Sequence, residues 1–114
     1  MTLNLSWTKC LGDVWCDFQS LNLNHPLFNN LEGVYIIWSN STAVRVGSGV
    51  IKNRIAEHRR DTKITAYPNL KVIWAQVSSS QMRGVEKYLA DVLDPKVGER
   101  FPDVIAIPVN WPWK

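Results

Sequence analysis

Soft metal ligands are scarce in this chain. Its 114 residues include two cysteines and two histidines. Cys10 and Cys16 stand in a C-x5-C spacing that matches no zinc pattern, which argues against a structural metal. Long apolar runs are missing too, and "MTLNLSWTKC" has neither the basic start nor the apolar stretch of a secretory leader. These absences lead us to expect a cytoplasmic protein that makes no membrane contact and keeps both thiols reduced. There is no internal repeat and no low-complexity segment.

What is present is the composition of an ordinary globular domain, 46% hydrophobic and 20% charged. The length fits one domain, 1–114, able to bury roughly 65% of the unfolded chain's surface. Six tryptophans supply large packing areas. Lysine and arginine exceed aspartate and glutamate by 13 to 10, and the pI is about 9.0. The excess is local: Lys52, Arg54, Arg59, Arg60 and Lys63 stand against Glu57 and Asp61. Such a run is either a solvated helix face or a face for an anionic partner.

The element order is readable from residue 33 onward. "GVYIIW" (33–38) is β-branched and aromatic and reads as a strand. "SNST" is a turn and "AVRVG" (43–47) a second strand, so the two form an antiparallel hairpin. Gly47-Ser48-Gly49 is expected to end that strand, with a helix following over 50–60. "NLKVIWAQV" (69–77) is a third strand. Ser79 or Ser80 then caps a helix over 81–93 that stops before Pro95. Residues 1–32 form an N-terminal extension with a short element around 13–21, helix or strand. The Pro- and Trp-rich tail, 99–114, should run extended, with a short edge strand at 104–107. The order β-β-α-β-α over 33–98 predicts an α+β domain: a small three-stranded antiparallel sheet flanked by helices.

Charged residues intrude into both helical stripes. Positions 51, 54, 55 and 58 lie on one face, so Arg54 and His58 share it with Ile51 and Ile55. On the second helix Glu86 falls among Met82, Val85, Leu89, Val92 and Leu93. A buried charge without a partner costs several kcal/mol, on the order of a large share of a domain's stability. Three readings follow: an Arg54–Glu86 salt bridge at the core edge, long side chains reaching out to water, or a site lining a wet cleft. In a site, arginine grips phosphate through its fork and glutamate offers oxygen to a divalent cation. His58 is either a helix-end residue favoured by the dipole or a base. Tyr35 reads as core packing or as a cleft group, and hairpin register decides whether Arg45 shares its face.

With "GVY" (33–35), "RVG" (45–47), Arg54, His58 four residues on, and Glu86 on the helix after the third strand, the sequence resembles the GIY-YIG nuclease family. The ordered set sits in the expected elements. The resemblance implies cleavage of a phosphodiester in DNA with one divalent cation, Mg2+ or Mn2+, and no small-molecule cofactor. By the same resemblance Glu86 would hold the metal, Arg54 would grip the scissile phosphate, Tyr35 would orient or deprotonate water, and His58 would assist. Arg45, Gly47, Ser48 and Arg59 would meet the substrate. Two positions depart from the pattern: Arg45 stands where the second motif opens with tyrosine, and Gly98 where many members keep an asparagine. Arginine cannot replace a tyrosine hydroxyl as a base near neutrality. The alternative is a catalytically inactive module that binds nucleic acid or another protein. The tail "VNWPWK" either closes the domain's own core through Trp111 and Trp113 or docks on a partner chain or a second copy.

Overall fold

The structure, a computed structural model, describes residues 2–10, 15–98 and 104–110. The central hairpin pairs β3 (Glu32–Ser39) with β4 (Thr42–Val50), joined through Asn40, whose positive φ of 55° suits a tight turn. On the far side of β3 lies β5 (Leu70–Gln76), also antiparallel. Two short strands, β1 (Trp7–Thr8) and β2 (Cys16–Asp17), both pair with β5. The sheet therefore has five strands, in the order β1-β5-β3-β4 with β2 beside β1 on β5, where the sequence suggested three. A two-residue strand has no period of its own to read; pairing with β5 creates it.

Both faces of the sheet are covered, which explains the unbroken apolar run of β3. On one face, Ile51 and Ile55 of α1 (Ile51–His58) and Ile64 of the short α2 (Thr62–Thr65) pack with Tyr35, Ile37, Val72 and Trp74. On the other, Met82, Val85 and Leu89 of α3 (Ser79–Leu93) pack on Val34, Ile36, Val46 and Ile73. Ser78 is the cap of α3, one residue before the expected position, and Asp94 ends the helix in the left-handed conformation. Val92, counted in the apolar stripe, is 46% exposed. No described helix is long and apolar enough to cross a membrane.

Four further expectations are corrected. The two glycines do not end β4, which continues through Gly47-Ser48-Gly49 to Val50. Gly47 lies opposite Tyr35, and a Cβ there would stand 2.1 Å from the tyrosine hydroxyl, so the ring occupies the space a side chain would need. Second, 104–107 is no edge strand; the tail makes one parallel bridge, Leu3 to Val109, and Ile107 N–H donates to Gly84 O across α3. Third, Cys10 and Cys16 are joined in a disulfide, with Cα atoms 5.1 Å apart. Such a bond persists in oxidising surroundings, unlike the reduced cytoplasmic thiols suggested above. Fourth, α2 is an additional turn of helix after α1, capped by the Asp61 side chain. Trp111 and Trp113 lie outside the described residues.

Candidate functional site

Register answers the question about Arg45. Tyr35 pairs with Gly47 and Ile37 with Arg45, so Arg45 lies on the α1 face beside Tyr35. A bulge between Ile37 and Trp38 leaves Val44 as the extra residue, and Val44 joins the same apolar cluster as Tyr35. Alternation along β4 thus fails at the position where it would have placed Val44 and Arg45 on opposite faces.

Beneath Gly47 is a buried polar pair. Tyr35 is 1% and His58 8% exposed; their rings stack with centroids 5.4 Å apart, and the Tyr35 hydroxyl lies 2.6 Å from His58 Nε2. Burial pushes the Tyr35 hydroxyl up to about 12, against the pull of the Arg45 and Arg54 charges. Burial also lowers His58 to about 4, with the Arg45 charge acting in the same direction. Both groups are therefore neutral at pH 7. His58 sits in the last turn of α1, but as neutral imidazole it is not held there by the helix dipole.

Above the pair, at the rim of β4, Ser48 joins two helices. Its hydroxyl donates to Glu86 Oε1 at 2.5 Å, and its carbonyl accepts from Arg54 Nε at 3.2 Å. Gly49, at φ +126°, leaves room for this arginine: a Cβ there would stand 2.9 Å from Arg54 Nε. The direct Arg54–Glu86 salt bridge is not formed. Arg54 pairs instead with Glu57 at 3.3 Å, and its side chain is 47% exposed. Glu86 is half-buried, and its Oε2 has no protein partner among the described residues. The two charges thus face water at the rim rather than a dry core.

Tyr35, Arg45, Gly47, Ser48, Arg54, His58 and Glu86 are brought together: the Tyr35 hydroxyl lies within electrostatic reach of Arg45, Arg54 and Glu86. Arg59 is engaged elsewhere. Its guanidinium donates to Phe18 O at 3.0 Å and Leu21 O at 2.6 Å, holding the segment after β2. The sequence signal missed two things, the partner role of Glu57 and the role of Ser48 as a link between Arg54 and Glu86. The i, i+3 spacing of 54 and 57 carried the first.

No three His, Cys, Asp or Glu side chains gather at one point among the described residues. A cation at Glu86 would take one carboxylate from the protein and its other ligands from water and substrate phosphate. The hard oxygen donor and its open rim suit magnesium, which retains waters and uses few protein carboxylates. No protein-family model, no curated protein and no solved structure matches this chain.

Proposed function

We propose that this chain is a metal-dependent DNA endonuclease that hydrolyses a phosphodiester bond through a GIY-YIG-like site. The observation that carries the reading is the linkage of Arg54 and Glu86 through Ser48, directly over the neutral Tyr35–His58 pair. Arg54 can exchange its exposed bond to Glu57 for phosphate oxygens, where its fork binds in two places and stabilises developing charge. Glu86 would hold Mg2+ or Mn2+, and the bound ion would polarise the phosphate and stabilise the leaving oxygen. Ser48 orients the Glu86 carboxylate from the side.

Proton handling falls to the buried pair. With the proton of neutral His58 on Nδ1, Nε2 accepts from the Tyr35 hydroxyl, leaving the phenolic oxygen's lone pairs for an incoming proton. Water would pass its proton to the Tyr35 oxygen as the phenolic proton moves to His58. Arg45 takes no proton in this scheme; it contributes positive charge next to the pair.

One observation favours a second reading, an inactive nucleic-acid-binding module. The Tyr35 hydroxyl is buried under Gly47, and Arg45 replaces the other tyrosine of the motif. A cleavage assay separates the two. Supercoiled plasmid and branched DNA are incubated with magnesium or manganese, wild type beside Glu86→Ala. Cutting by wild type alone supports the nuclease. Equal cutting by both rules out Glu86 as metal ligand, and no cutting by either folded protein moves the reading to the binding module.

A further inference from the structure

Arg45 reaches beyond the candidate site into a cleft of about 720 Å3. After α3 the chain rounds the edge of β4: Lys96 N–H donates to Ala43 O at 3.1 Å and Val97 N–H to Val44 O at 2.8 Å. This segment forms one wall, and residues 61–67 form the other. Lys63, Lys96 and Arg45 converge from three separate parts of the chain. Neither lysine has an acidic partner among the described residues. Asp61 is the single acid of the lining among the described residues, and its Oδ1 is occupied capping α2 through Lys63 N–H. Arg45 Nε is buried with no hydrogen-bond partner, while the guanidinium lies within hydrogen-bonding reach of the Tyr35 hydroxyl. Gly98, at φ +112°, makes room for it; a Cβ there would stand 2.4 Å from the arginine's terminal nitrogen. Tyr67 adds a half-buried ring to the same wall.

Cations that track a groove beside an aromatic face are what an unpaired nucleic-acid strand requires. We propose that this cleft is a second phosphate-binding subsite, which takes the backbone of an unpaired strand continuing from the candidate site and offers Tyr67 to one of its bases. The inference rests on the nucleic-acid reading above; it adds which strand form is held, and where. Arg45 is the hinge between the two regions, since its charge acts on both Tyr35 and His58.

The test is binding of a labelled single-stranded oligonucleotide against salt, without divalent cations, for wild type, Lys63→Gln/Lys96→Gln and Tyr67→Leu. Both lysines are exposed, so the double variant should fold as wild type does. Its log–log salt slope should fall by about 1.4, two contacts at about 0.7 each. Tyr67→Leu should weaken single-strand binding about fivefold or more and duplex binding much less. An unchanged slope in a double variant that still binds overturns the subsite while leaving the nuclease reading intact. Absence of single-strand binding by wild type also overturns the subsite, and the cleavage assay above decides the nuclease reading separately. Displacement of the strand by inorganic phosphate that is lost in the double variant, with no effect of Tyr67→Leu, overturns the strand assignment in favour of a small phosphate ligand.

Discussion

The two halves of the candidate site meet at β4 and differ in nearly every physical respect. Tyr35 and His58 are buried, neutral and fixed against each other under Gly47. Ser48 follows Gly47 on β4 and joins Arg54 of α1 to Glu86 of α3, two charges open to water. The buried half is preorganised, and a change there is felt by the whole fold. The rim half is adaptable; its partners can be exchanged for substrate at little cost to stability. Polar groups in the interior need fixed partners, while those at a rim can use water.

The strongest way to break the buried half is to fill the space above it. Gly47→Ala would drive a Cβ into the Tyr35 ring and should destabilise the protein by about 3 kcal/mol or more, at the upper end of overpacking costs. Urea unfolding measures this; a loss within error of zero would mean that the ring is not seated against β4.

Acid should act on the same pair. The folded-state pKa of His58 lies below its unfolded value, so between about 6.5 and about 4 the unfolded chain binds the extra proton. Its contribution is therefore intact above that window and is lost as pH falls through it, by about 3 kcal/mol at pH 4. His58→Gln should flatten this part of the stability–pH curve. A curve of the same shape in the variant would assign the titration to another group.

Tyr35→Phe removes one hydroxyl and leaves a buried imidazole nitrogen unpartnered, for a loss of about 1–3 kcal/mol. The same experiment at the rim should look different. Glu86→Gln should change stability by less than about 1 kcal/mol, since the group is half-buried and the amide can still accept from Ser48, while cleavage is abolished. Equal destabilisation by the two variants would erase the contrast between the halves. The smallest effect is expected from Glu57→Gln. That exposed i, i+3 pair is worth at most about 0.5 kcal/mol, and only at low salt.

How much of this was legible follows the range of the forces involved. The strands β3, β4 and β5 and the helices α1 and α3 carry their own periodicity, and the sequence places them in the right order. Their bounds moved where a distant residue decided the outcome. Gly47 looked like a strand breaker because its neighbour across the sheet, Tyr35, is twelve positions away. Arg59 looked like part of a phosphate-binding run because charge says nothing about which carbonyls lie nearby; Phe18 and Leu21 come from the other end of the chain. Cys10 and Cys16 read as reduced thiols and are instead bonded, since pairing depends on where β2 lands. The stripe reasoning found Arg54 and Glu86 together, but placed them as a pair or in a cleft without seeing that one serine joins them.

The covering of the strands has a consequence for how copies of this chain can meet. Along β5, the outer side is paired with β1 at Trp74 and Ala75 and with β2 at Lys71 and Val72. Along β4, Lys96 and Val97 take up Ala43 and Val44, and Arg54 stands over the carbonyl of Ser48. An unprotected sheet margin is a template for fibril growth, and charged side chains posted along it are a common defence. Among the described residues, the stretch of β4 left uncovered by main chain is the one guarded by arginine. The feature that would attract a phosphate would thus also repel a second copy of the same strand, so solubility and substrate binding would draw on one side chain.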